Sequence, residues 1–203
     1  MARPRQVTDE QILQTMRSSV LQHGPAVSLD VVAQQLKVTS PALLKRFGNR
    51  RALMIAALRP GEDDAWVRLL ARGPDDRPLA VQLEEAITSV SEAFGEAMPC
   101  MFALRESGIP LTEVFSGSQV PPPVRAVRAM SRWLSLLCDR GLADGSAVET
   151  AATALMGAIS TRAMTAHLTR TPWSPRAKRE YARQLARLFT RALTPDQPRP
   201  GSP

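Results

Sequence analysis

The stretch that decides the fold is LDVVAQQLKVTSPALLKRFGNRRAL, residues 29–53. Ser28, a favourable N-cap, precedes Leu29, Val32, Ala33 and Leu36, whose i, i+3, i+4, i+7 spacing puts them on one face of a short helix. That face needs a core to cover it. The turn is Lys37-Val38-Thr39, and Ser40-Pro41 announces a second helix: a hydroxyl able to cap, then a proline at the first helical position, where its missing N–H costs nothing. Leu43 and Phe47 make the inner face of that helix. Ser40, Ala42, Lys45 and Arg46 make its outer face, small at the front and cationic at the back. Two short helices joined in this way read as a helix-turn-helix, with the second helix shaped for a DNA major groove.

Charge gathers around this stretch. Residues 1–59 hold nine lysines and arginines against three acidic residues, a net +6, whereas the other residues hold 17 basic and 16 acidic side chains. A generic basic surface would spread evenly; this partition is the footprint of a polyanion partner. With 203 residues, 44% hydrophobic and 22% charged, the chain can bury a sizeable core. Cys100 and Cys138 are far apart and lack metal-ligand spacing, which fits a reduced, cytoplasmic protein without a metal or other cofactor. No signal-peptide core is present at the N-terminus, and no run approaches the roughly 18 apolar residues of a membrane helix, so no membrane partner is expected.

Outward from the motif, every segment keeps helical periodicity, and the fold class is all-α. Residues 1–7 read as a mobile arm, with Arg3 and Arg5 within reach of phosphate or minor groove. A first helix runs from the Thr8/Gln11 capping box to His23, burying Ile12, Leu13, Met16 and Val20 against Val32, Leu36, Leu43 and Phe47. A fourth helix opens at Asn49 and runs to Arg59-Pro60-Gly61. Further helices are expected near 62–72, 78–96, 97–107, 122–141, 145–168 and 174–193, with a break at Pro99, a long loop from Gly108 to Pro123, and a disordered tail over 194–203. Along the last helix Tyr181, Leu185, Leu188, Phe189 and Ala192 share a face opposite an arginine stripe. The helix before it carries Leu155, Met156 and Ile159 among alanines on several sides, and is either fully buried or half of an interface.

Catalytic chemistry finds no footing. His23 and His167 both end helices, no glycine-rich phosphate loop or nucleophile elbow occurs, and Glu84, Glu85, Glu92 and Glu96 read as the wet face of one helix. Cys100, among Met98, Met101 and Phe102, reads as a buried apolar cysteine. The competing reading is an all-α small-molecule binding protein or enzyme whose basic N-terminus is incidental; it lacks catalytic groups and leaves the charge partition unexplained.

The first quarter of the chain resembles the DNA-binding region of the TetR family of transcriptional regulators. The residues that carry the likeness are Ile12-Leu13, Gly24, Val32-Ala33, Val38-Thr39, Leu43, Phe47 and Asn49 to Leu53. Pro41 stands where the family has Gly or Pro. Lys37 replaces its usual turn glycine, Leu44 its usual tyrosine and Arg46 its His or Tyr, so one phosphate contact is lost and Arg46 is a charged replacement. The resemblance implies a helix-turn-helix domain over 1–48 and a helical effector-binding and dimerisation domain over 49–193, acting as a homodimeric repressor of an inverted-repeat operator.

Three sets of site residues follow. Thr39, Ser40, Ala42, Lys45, Arg46, Asn49 and Arg50 are expected to meet double-stranded DNA, with Asn49 and Arg50 on phosphate at a helix N-terminus. Phe94, Met98, Met101, Phe102, Arg105, Met130, Trp133 and Leu137 are expected to line a cavity for a small hydrophobic effector with one or two polar handles. Leu155, Ile159, Leu185 and Phe189 are expected to centre the dimer contact, by analogy with the closing helix pair of the resembled family.

Overall fold

A computed structural model describes residues 7–61, 64–116, 120–145 and 147–194 of the chain. Among them are ten helices and no strand: α1 (Asp9–His23), α2 (Leu29–Leu36), α3 (Ser40–Phe47), α4 (Arg50–Leu58), α5 (Ala65–Arg72), α6 (Leu79–Glu106), α7 (Leu111–Val114), α8 (Pro122–Asp139), α9 (Val148–Leu168) and α10 (Pro175–Leu193). Most of the expected arm and tail lie outside the described residues. So does part of the expected long loop, whose described part holds α7, a helix the composition of the loop concealed.

Local chemistry accounts for the starts and stops. Thr8 and Gln11 form the reciprocal capping box of α1, and Ser28 caps α2. The cap of α3 is Thr39 rather than Ser40: its side chain accepts from the Ala42 N–H, which moves Ser40 into the helix and Pro41 to the second position. Proline fits there too, since the first turn has no intrahelical use for its missing donor. At the end of α2, Lys37 adopts φ 55°, ψ 40°. Its N–H donates to the Gln34 carbonyl at 3.1 Å and that of Val38 to the Ala33 carbonyl at 3.0 Å. These two bonds make a Schellman cap on a residue that is not glycine.

The helices form two compact units, residues 1–61 with 96–118, and 62–95 with 119–203. The boundary expected after residue 48 does not coincide with this division, because Leu53, Met54, Ala57 and Leu58 of α4 are buried in one cluster with Ile12, Met16, Val32 and Leu43. Cys100, Ala103 and Leu104 complete the same core. In the other unit, Leu83, Ile87 and Val90 pack with Met130, Leu134, Leu155, Ile159 and Ala186.

α6 supplies both cores, and Pro99 does not break it. A proline inside a helix leaves the carbonyl four residues earlier without its donor, here that of Gly95, at a cost of about 3 kcal/mol. Burying Leu79, Leu83, Ile87 and Val90 before it and Leu104 after it contributes about 1.5–3 kcal/mol apiece, so the helix continues. Gly95 is also the last residue before the division between the units.

The left-handed turn generates a prediction. Lys37→Gly removes the clash of a Cβ in that region, at the expense of a more flexible unfolded chain, and should raise stability by about 1 kcal/mol in a urea titration. A less stable variant would show that the lysine side chain stabilises the turn in some other way.

Candidate DNA-reading face and its supports

α3 owes its orientation to Leu43, which is fully buried, and to half-buried Phe47, which packs on the same core. The opposite side, Pro41, Ala42, Lys45 and Arg46, is exposed. Of the seven residues expected to meet DNA, the structure therefore places Ala42, Lys45 and Arg46 on one outward surface, with Thr39 exposed at its leading end.

Several of these side chains already have partners. Ser40 is half-buried, and its hydroxyl donates to the Asp30 carboxylate across the turn. Thr39 and Asn49 are both caps, Asn49 accepting from the Ala52 N–H at 2.8 Å. Arg46 donates to the Val7 carbonyl at 2.6 Å and pairs with Asp9 at 2.5 Å, tying the end of α3 to the start of α1. Lys45 has no hydrogen bond or ion pair among the described residues.

Arg50 departs most from expectation. Its guanidinium turns back to the α1–α2 loop, donating to the Pro25 and Val27 carbonyls at 2.7 Å each, with the Met54 sulfur at 3.1 Å. An arginine so committed holds the loop to α4 instead of standing open to a phosphate. The reason is that two loop carbonyls lack helical donors, and a guanidinium can serve both at once.

Arg51, which sequence reasoning did not single out, is bound to Glu113 through both carboxylate oxygens and lies 3.5 Å from the Gly108 carbonyl. The hydrogen bond holds the Glu113 carboxyl below its ordinary range and raises the Arg51 guanidinium above its own. This ties α4 to α7. Nothing in the local pattern pointed to a partner 62 residues away.

The expected effector lining is not gathered into one cluster. Met130, Trp133 and Leu137 are buried in the core of the second unit, and Phe94 is half-buried against that core. Met101 packs on the core of the first unit, Met98 and Phe102 are half-buried, and Arg105 is exposed. An open groove of about 540 Å³ on α6, lined by Val81, Glu84, Glu85, Thr88, Ser89 and Glu92, is the wet face read from the sequence. Glu85 pairs there with Arg77 at 2.6 Å and Glu84 with Arg183 at 3.8 Å.

The expected dimer residues are corrected as well. Leu155, Ile159, Leu185 and Phe189 all lie within the core of their own unit, 0–9% exposed. Periodicity marked them as one face of each helix, and that face packs inward. The outward face of α9 carries Ala154, Gly157, Thr161, Met164 and Leu168, and that of α10 carries Leu188. Leu168 is 62% exposed and Leu188 60%. A Cβ built on Gly157 would meet nothing within 4 Å.

The described residues contain no cluster of His, Cys, Asp and Glu able to hold a metal, and none of their helices is long and apolar enough to cross a membrane.

No family model matches the chain, and no curated protein matches it in sequence. Solved structures do resemble it over nearly its whole length. A TetR-like transcriptional regulator from Rhodococcus sp. RHA1 is 21% identical with a TM-score of 0.60, over 93% of this chain and 98% of that one. A TetR-family regulator from Mesorhizobium loti reaches a TM-score of 0.70 at 14% identity, over 92% and 96%. A crystal structure of BioQ with its double-stranded DNA operator has a TM-score of 0.50 at 18% identity, over 92% and 99%. The chain has the all-helical fold of these regulators.

The partners of Arg50 set an expected outcome. Arg50→Ala strands two loop carbonyls and should lower stability by about 2 kcal/mol in thermal or urea unfolding. Unchanged stability with weakened DNA binding would return Arg50 to the phosphate role expected from the sequence.

Proposed function

We propose that the chain is a TetR-family transcriptional regulator: a homodimeric, sequence-specific DNA-binding repressor whose operator is an inverted repeat. The observation that carries this reading is the outer face of α3, held outward by buried Leu43 within residues 1–59, a segment that carries +6 of the net +7 charge. A helix with that profile fits a major groove, and the surrounding cations fit the phosphates on either side. The fold shared with the regulators above, one of them seen on its operator, supports the same reading.

The proposed dimer uses the outward faces of α9 and α10. Small residues at Ala154, Gly157 and Thr161 let a second copy approach closely, and Leu168 and Leu188, both more than half exposed, supply apolar area for it to cover. One three-helix reader makes few base contacts; two, related by a two-fold axis, read a palindromic site.

A small hydrophobic effector is proposed to release the operator. Half-buried Met98, Met101 and Phe102 supply adaptable apolar surface toward the end of α6. Met130, Trp133 and Leu137 are core and are withdrawn from the site. Such a ligand changes DNA binding only through unequal affinity for the DNA-competent and incompetent conformations.

The test is selection of duplex fragments from a random pool with the full chain, followed by mass measurement of the complex. Enrichment of one inverted repeat bound by two protomers is expected, and enrichment of no sequence overturns the reading. Gly157→Arg and Leu188→Glu should each yield a folded monomer with weakened operator binding. Variants that stay dimeric would place the contact elsewhere.

A further inference from the structure

The outer face of α3 offers DNA fewer polar groups than its sequence suggests. Thr39 accepts from the Ala42 N–H, Ser40 donates to Asp30, and Arg46 is engaged by Val7 and Asp9. Beyond the helix, Asn49 caps α4 and Arg50 is turned inward to Pro25 and Val27. What remains on the helix, exposed and without a polar partner among the described residues, is Pro41, Ala42 and Lys45. Lys45 lies four residues after Pro41 and three after Ala42, so the three form one stripe along the face away from buried Leu43.

Two-thirds of that stripe is hydrocarbon. Hydrogen-bonding base edges gain nothing from it and would lose water where it covers them. Among the base edges in a major groove, only thymine presents an apolar group, its C5-methyl. The net +6 carried by residues 1–59 makes a nucleic acid the occupant that complements this face. Taking the DNA-binding reading above as given, we propose that Pro41 and Ala42 specify a thymine in each half-site through its methyl group. Lys45 then points at the acceptor edge of a guanine further along the groove. The helix rises about 1.5 Å per residue, so three to four residues correspond to roughly one to two base steps of about 3.4 Å.

Pro41 thus becomes a specificity residue, and the half-site acquires a base composition that can be checked atom by atom. Replacing thymine by uracil keeps the base pair and removes only the methyl. Starting from the inverted repeat selected with the full chain, each thymine is replaced in turn, symmetrically in both half-sites, and affinity is measured by fluorescence anisotropy. One position should show a loss of about four-fold per half-site, the value of burying one methyl-sized group. The Pro41→Ser, Ala42→Gly double variant should bind the parent and that uracil duplex equally.

The proposal is overturned if every uracil duplex binds as tightly as the parent, or if the double variant folds and keeps the full discrimination. The uracil scan uses the unaltered chain, so it decides the matter even where the variant fails to fold. A chain that enriches no duplex refutes the DNA-binding reading itself. One that enriches a duplex and ignores the methyl refutes only the thymine assignment.

Discussion

The left-handed residue at the end of α2 is the constraint on which the rest of the helix-turn-helix depends. With Lys37 at positive φ, the Val38 N–H reaches back to Ala33, α2 stops, and the chain leaves at an angle that lets α3 lay Leu43 into the same core as Val32. A longer α2 would carry Thr39 and Pro41 away from that core and leave Leu43 without cover. The strain, about 1–2 kcal/mol for a residue with a Cβ, is smaller than the about 2–5 kcal/mol associated with emptying a buried leucine site. Packing therefore holds the turn in a conformation that the lysine alone would avoid.

Three arginines of the same unit hold its elements together. Arg50 closes the α1–α2 loop onto α4, Arg51 ties α4 to α7, and Arg46 links α3 to the start of α1. Each adds positive charge to that unit while spending its hydrogen bonds inside the protein. The long-range field of such charges still attracts a polyanion, because steering depends on net charge and needs no direct contact.

Much of this was legible in the sequence, and what was not has a common cause. The capping box at Thr8, the cap at Ser28 and the 3.6-residue stripes depend on neighbours a few positions away, and those are written in order. The structure realises them with small shifts, such as the cap of α3 moving from Ser40 to Thr39. Arg50 and Arg51 instead find partners 23 to 62 residues distant, which only the folded chain brings near. Pro99 misled because local propensity was weighed without the two cores that α6 joins. Leu155 and Ile159 misled for another reason: on a helix apolar on several sides, periodicity cannot say which stripe packs inward.

The charge concentrated around the helix-turn-helix, +6 over residues 1–59, is proposed to engage duplex DNA. The most direct measurement is the affinity of the full chain for its selected duplex across a series of salt concentrations. The expected result is a straight line of log affinity against log salt, falling with a slope of about −0.9 for every phosphate neutralised, and thus steeply for several contacts. An affinity that stays level as salt rises would mean that phosphates are not engaged, and would contradict it.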